Sequence, residues 1–205
     1  MKGNYPITLQ LEGKKVVVVG GGKVAERKVS GIIGTGARVT VISPEATDEM
    51  KKLASKGEIN WQQRSFSKDD LKDAVLIFAA TNDKQLNQQV KDSAGRHQLV
   101  TMADNPEESD FHVPAHLNRG RLSIAISTCG ASPTLAGKIR EQLEQQFDVE
   151  YEDYLEFLFS KRQWILKEVT DASLKRKLLT AIVNPDFLHC ENREEEFQHL
   201  YEKMI

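Results

Sequence analysis

Thiols are scarce in this 205-residue chain: Cys129 and Cys190 are the only two, and they stand far apart with no C-x-x-C spacing. That excludes a disulfide framework and a cysteine-based zinc site. An excess of either charge is also missing. The balance of 28 Lys and Arg against 30 Asp and Glu leaves a formal charge of -2, so the chain as a whole has no attraction for nucleic acid or anionic membrane. No apolar run reaches the roughly 18 residues of a membrane span, and no charged segment leads into an apolar stretch at the start. Repeats and low-complexity tracts are lacking too. A soluble protein of the cytoplasm is expected, with one large domain or a main domain and a smaller appendage.

What is present centres on Lys14 to Lys28, KKVVVVGGGKVAERK. Val16 to Val19 predict a strand buried on both faces, running straight into Gly20, Gly21 and Gly22. Apolar residues then return at helical spacing from Val24 and Ala25 through Val29 to Ile32 and Ile33, with Gly34 and Gly36 ending the helix. Gly20, Gly22 and Ala25 fit G-x-G-x-x-A. In that pattern Gly20 permits a tight turn, Gly22 removes a side chain where a pyrophosphate approaches, and Ala25 lets helix and strand pack closely. The helix would offer its first N–H groups and positive dipole end to the phosphates. A plain structural turn is the competing reading.

Elsewhere the pattern alternates between strands and helices. Tyr5, Ile7, Leu9 and Leu11 suggest an extra strand or an extended lead-in. Strands are predicted over 37–42, 59–62, 74–80 and 99–102, with helices over 45–56 and 84–95. Trp61 and Phe66 read as core aromatics. After the second strand, where an acidic residue often holds a ribose 2′-hydroxyl, stands Ser43, which favours NAD only moderately over NADP. Ala80, Thr81 and Asn82 end a buried strand and are placed to line the nicotinamide side; Thr81 or Asn82 could equally cap the next helix.

Asp104 follows the 99–102 strand on the same side, with Pro106 fixing the chain behind it. Its carboxylate could take a proton as a neighbouring group loses a hydride. It could also be a turn residue bonding its own backbone. Glu107, Glu108 and Asp110 read as a solvated acidic loop. His112 and His116 lack a partner cluster, so no metal site is expected. A strand over 122–127 leads to the small-residue loop Ser127 to Pro133. There Ser132 reads as an N-cap and Pro133 as the first position of a helix reaching about Phe147. Such a loop suits a carboxylate-bearing ligand. Cys129 within it has no evident base. Beyond Glu150 the chain reads as helical, with apolar stripes, a break at Asn184-Pro185 and a last helix over 191–203.

The runs GGGKVAERK, AATND, ADNPEESDFHVPA and ISTCGASPTLAGKIR, in this order and spacing, resemble the precorrin-2 dehydrogenases of sirohaem synthesis. That family includes stand-alone enzymes and the N-terminal half of the larger sirohaem synthase. The resemblance implies NAD-dependent oxidation of precorrin-2 to sirohydrochlorin. It further implies a homodimer built from an α/β Rossmann-type parallel-sheet domain (1–113), a dimerisation segment (114–147) and a C-terminal helical domain (148–205). Cofactor residues carried over are Gly22, Lys23 and Val24, then Ser43 and Pro44, then Ala80 with Thr81; Gly20 joins them from the glycine pattern. Asp104 matches the family's catalytic aspartate. The substrate loop maps to Ser127, Thr128, Gly130 and Ser132, with Thr128 where some members carry a phosphorylatable serine. Precorrin-2 bears eight carboxylates, so Arg119, Arg121, Lys138 and Arg140 are candidates to meet them. Two other readings stand: a dehydrogenase that also inserts ferrous iron, and a non-catalytic NAD-sensing module.

Overall fold

A computed structural model describes residues 4–205. The chain divides into two compact units, one ending at Val113 and one spanning Pro114–Ile205.

The first unit is built around β1 (Lys15–Val19), whose valines alternate between two cores. Val16 and Val18 face helices α1 (Lys23–Ser30) and α2 (Asp48–Ser55), meeting Ala25, Val29, Met50 and Leu53. Val17 and Val19 face the other way, towards Leu71 and Val90 of α3 (Lys84–Ser93). A strand covered by helices on both sides must be apolar at every position, which is why four valines run without interruption. Each buried valine contributes about 1.5–3 kcal/mol. Around β1 lie β2 (Arg38–Ile42), β3 (Asn60–Gln62), β4 (Ala74–Ala79) and β5 (Leu99–Met102), all parallel, in the order β3-β2-β1-β4-β5.

Several local expectations are corrected. Residues 4–12 pair with no strand; Tyr5 and Ile7 are exposed, and only Leu11 joins the core. α1 stops at Ser30, not Gly34, because a run of turns takes over from Gly31 and carries Ile32 into the core without helix. α2 begins at Asp48, not Glu45, because Thr47 caps it, its hydroxyl accepting from Met50 N. α3 is capped by Asp83, whose carboxylate accepts from Gln85 N and Leu86 N, so neither Thr81 nor Asn82 does that work. Asp110 is no loose loop residue: it accepts from Val100 N at 2.8 Å and pairs with Lys91 at 2.7 Å, closing the free edge of β5.

The second unit has a two-stranded antiparallel ribbon, β6 (Ala115–Arg119) and β7 (Leu122–Ile126), with α4 (Pro133–Gln146) packed on it. β6 was not foreseen: AHLNR lacks the β-branched residues that flag a strand, and the ribbon rather than its own sequence holds it extended. Ser132 caps α4 and Pro133 opens it, as expected. α5 (Glu150–Glu168), α6 (Ala172–Ala181), the one-turn α7 (Pro185–Leu188) and α8 (Arg193–Met204) follow. They enclose a third core of Tyr154, Phe157, Ile165, Leu178, Ile182, Phe187 and Phe197. Burial raises the pKa of the Tyr154 phenol, whose O–H donates to Ile182 O at 3.0 Å.

In the first unit Arg64 grips Asp70 with two hydrogen bonds of 2.8 and 2.5 Å, and Ser67 N donates to the same carboxylate. The Arg64 hydrogen bonds outweigh burial and hold the Asp70 carboxyl below the ordinary carboxylate range. Because folding depresses this pKa, the stabilisation is complete above the unfolded-chain value of about 3.9 and is lost as pH falls through the lower folded value. Solvent at the half-exposed Arg64 screens the pair and keeps its contribution small. Asp70→Asn is therefore expected to lower the melting temperature at pH 7, with the gap to the parent protein closing below about pH 4. Thermal melts at the two pH values check both halves.

Candidate active site

β1, β2 and β4 deliver their carboxyl ends to one edge of the sheet, and the order of strands reverses between β1 and β4. Ligands of open α/β sheets sit at such reversals. A hollow of about 690 Å³ lies there. All eight residues expected to hold the cofactor line it: Gly20, Gly22, Lys23, Val24, Ser43, Pro44, Ala80 and Thr81. A second hollow of about 410 Å³ shares Gly20, Ser43, Pro44 and Thr81 with the first and adds Ser65, Phe66 and Gln89. Phe66, read from sequence as a core residue, thus packs against the core with one part and borders this hollow with another.

The three glycines do different work. Gly20 has φ +125°, and a Cβ on it would stand 2.3 Å from Ala80 O. Gly21, to which the sequence pattern gives no role, is the tightest: a Cβ there would stand 1.8 Å from Glu45 O and 2.6 Å from Ser43 Oγ. Gly22 is the reverse, since a Cβ on it would meet nothing within 4 Å. Gly20 and Gly21 bring the ends of β4 and β2 against the turn, while Gly22 leaves space in front of α1. As N-cap of α1, Gly22 supplies no side chain to occupy the first N–H groups of the helix. A hollow lined by bare backbone N–H groups at a helix N-terminus fits the diphosphate of a dinucleotide.

The local electrostatics agree. Glu26 in the first turn of α1 would oppose an anion, but Lys23 pairs with it at 3.0 Å. The Thr47 hydroxyl first, and Lys23 next, hold its carboxyl below the ordinary range. Ser43 is buried, and its hydroxyl donates to Glu45 O at 2.6 Å, so towards a ribose only its lone pairs remain. The Trp61 indole N–H donates to Ser43 O at 3.1 Å and steadies that corner, consistent with its reading as a structural aromatic.

Asp104 is exposed and does not line either hollow. It is no turn residue bonding its own backbone: Asn105 does that, accepting from Glu108 N. The Asp104 carboxylate instead accepts from Asn87 Nδ2 at 2.8 Å. Asn87 is wholly buried on α3. Its amide oxygen accepts from Thr81 N and Thr81 Oγ1 at 3.1 and 2.8 Å, and its amide nitrogen also donates to Thr81 O at 3.1 Å. Asn87 therefore ties the hollow's wall to Asp104. Sequence reasoning passed over it because a polar residue in the middle of a predicted helix looks like a solvated one.

In the second unit the loop after β7 is shaped by its own hydroxyls. Ser127 Oγ accepts from Cys129 N, Thr128 Oγ1 from Ser132 N, and Ser132 Oγ from Leu135 N. Each hydroxyl keeps its proton to donate elsewhere. Cys129 (φ +50°) and Gly130 (φ +84°) turn the chain in the left-handed region. Arg119 donates to Phe147 O and Asn118 O, and Arg121 pairs with Glu156 at 2.9 Å and stacks on Phe159. Arg140 is held by Glu144, whereas Lys138 is exposed and makes no ion pair among the described residues. Of the four cations singled out from sequence, Arg119 and Lys138 make no ion pair among the described residues, and Lys138 is the one with no side-chain hydrogen bond there either.

Comparison with known proteins bears on the whole chain. Residues 7–115 match the NAD(P)-binding family model, and residues 119–146 match the model of the sirohaem biosynthesis protein central region. A precorrin-2 dehydrogenase of Priestia megaterium is 36% identical over 199 residues, which is 97% of this chain and 98% of that protein. That of Bacillus subtilis (strain 168) is 32% identical over 158 residues, 77% of this chain and 98% of that one. A siroheme synthase of Nitrosococcus oceani is 38% identical over 172 residues, 83% of this chain but 37% of the longer protein. Among solved structures, SirC, precorrin-2 dehydrogenase, superposes with a TM-score of 0.82 at 36% identity, covering 98% of this chain and 100% of that one. With a glycine-lined hollow at the sheet's reversal and end-to-end similarity to enzymes of one name, the chain belongs to the precorrin-2 dehydrogenase family.

Proposed function

We infer that this chain oxidises precorrin-2 to sirohydrochlorin with NAD, in sirohaem biosynthesis. The observation that carries the reading is the end-to-end match, 98% of a precorrin-2 dehydrogenase, on a chain whose hollow accepts a dinucleotide. The oxidation takes two electrons from the macrocycle as a hydride and releases a proton from a neighbouring atom. NAD, when bound, supplies the hydride acceptor. The first N–H groups of α1 and the bare surface of Gly22 hold the diphosphate, with Lys23 keeping Glu26 neutralised beside it. Thr81 and Ala80 form the wall on the β4 side. Asp104 accepts the proton through its carboxylate, which Asn87 holds in place by donating to it at 2.8 Å.

The substrate's carboxylates fall to the Ser127, Thr128, Gly130 and Ser132 loop and to the neighbouring cations, Arg119 and Arg121 among them. The enzyme acts as a homodimer in the cytoplasm, with residues 114–147 joining the two copies between the Rossmann domain (1–113) and the helical domain (148–205). In support, a two-stranded ribbon is marginal alone, and the apolar side chains of β7, Leu122, Ile124 and Ile126, are only half-buried. No described helix is long and apolar enough to cross a membrane. Sedimentation equilibrium is expected to read twice the chain mass of 23.1 kDa; a monomer at micromolar concentration rejects the dimer.

Anaerobic precorrin-2 and NAD, followed at the NADH and sirohydrochlorin bands, test the reaction, and a further arm with ferrous iron and purified sirohydrochlorin tests for chelation. Asp104→Asn keeps the shape and the acceptor for Asn87 but removes the base, and kcat is expected to fall about 10²- to 10⁴-fold with NAD affinity preserved. Near-normal turnover would reject the base. The glycines separate structure from binding. Gly21→Ala is expected to prevent stable folding, because the Glu45 carbonyl is backbone and cannot step aside. Gly22→Ala melts like the parent protein yet loses NAD affinity by about tenfold or more, as calorimetric titration would show.

A further inference from the structure

We propose that Asn87 is the positioning residue of this site, one buried amide that sets both the cofactor wall at Thr81 and the orientation of the Asp104 carboxylate. The proposal rests on the dehydrogenase reading for its turnover arm alone. A buried side-chain amide has two acceptor positions and two donors to satisfy. Asn87, with no exposed surface, uses all four: Thr81 N and Thr81 Oγ1 donate to its oxygen, and its nitrogen donates to Thr81 O and Asp104 Oδ1.

Three of the four bonds fix a residue that lines the hollow. The fourth crosses to the segment after β5. A residue needed only to close the β4–α3 turn would stop at Thr81, and that turn already has its cap in Asp83. The bond to Asp104 adds nothing to the local fold either, since Asn105 organises that turn. The bond does restrict where the carboxylate points, and it requires an acceptor oxygen there. The other charged side chains on the adjoining elements are Asp83, Lys84, Lys91, Asp92, Glu107, Glu108 and Asp110. Among the described residues none of these side chains bonds to Asn87 or Asp104: Asp83 caps α3, Asp92 accepts from Gln88, and Lys91 pairs with Asp110.

Asn87→Asp is the sharpest test because it preserves shape and the acceptor for Thr81 while replacing both donors with an anion. Two carboxylates at hydrogen-bond distance titrate as a pair and share one proton until the upper of its two steps, so the pair offers a free base only at higher pH. The acidic limb of the kcat profile is expected to move up by about one pH unit or more. At the parent optimum kcat falls about tenfold to 10²-fold. The Kd for NAD, measured by calorimetry without substrate, rises about threefold to tenfold as Thr81 O loses its donor. In an Asp104→Asn background the same substitution has little further effect on kcat but the same effect on NAD, because the two residues act as a unit only in the proton step. An unmoved acidic limb, or a kcat loss of equal size in both backgrounds, would overturn the proposal and leave Asn87 a scaffold residue. Should Asn87→Asp not fold, Asn87→Ala, which leaves room for water, is expected to lower kcat about tenfold and loosen NAD; turnover and Kd both unchanged overturn it. Absence of precorrin-2 turnover in the parent protein would sink the dehydrogenase reading and not this one, whose NAD arm needs no substrate.

Discussion

Everything at this site depends on backbones approaching more closely than side chains allow. Gly20 and Gly21 bring the carbonyls of Ala80 and Glu45 to distances at which a single methyl group could not fit. The ends of β4 and β2 are thereby gathered onto the end of β1, and Thr47 N bonds to Gly21 O at 3.0 Å to hold the loop after β2 in place. The hollow is the space left in front of that junction. Its position is also thermodynamically cheap to hold, because β1 behind it is the most thoroughly buried strand of the unit, with helices on both faces.

A second constraint is charge. The chain is slightly acidic, yet both ligands of the proposed reaction are polyanions. In the proposed reading, anions meet neutral donors aimed by the fold: helix N–H groups bare of any capping side chain at Gly22, and hydroxyls at the Ser127 to Ser132 loop that each already accept from a backbone N–H. Lys23 serves mainly to cancel Glu26, and Arg121 is engaged by Glu156 and Phe159. Donors of this kind bind anions without making the free protein basic, and they are oriented before the ligand arrives, which reduces the reorganisation that binding demands.

Much of this was legible in the sequence, and the parts that were not have a common cause. The Val16 to Val19 run, the 99–102 strand, the Ser132-Pro133 helix start and, within the hollow, Gly20, Gly22, Ser43, Ala80 and Thr81 follow from local pattern, because a buried strand and a capped helix are decided by residues near one another; Lys23, Val24 and Pro44 came from the family resemblance. Gly21, Asn87, Asp110 and β6 were not legible. Gly21 matters through Glu45, Asn87 through Thr81 and Asp104, Asp110 through Val100 and Lys91, and β6 through β7. Each is defined by a partner that only the folded chain supplies, and by itself each looks like an ordinary turn glycine, surface polar residue or loop. The helix limits erred similarly: Asp83 and Thr47 outcompeted their neighbours as caps because the ends of the sheet had already claimed Thr81 and Ser43.

The division of labour after β5 shows how the carboxylate proposed as the base can stand in a short D-N-P turn. Holding such a turn requires an acceptor for a downstream N–H, and either Asp104 or Asn105 has the side chain for it. With Asn105 in that role, the 104 carboxylate is released from the backbone, and its geometry is instead decided by α3 through Asn87. A carboxylate tied to its own turn would have shared the turn's motions. One held by a buried amide is positioned by α3 instead, the arrangement the proposed proton acceptor needs.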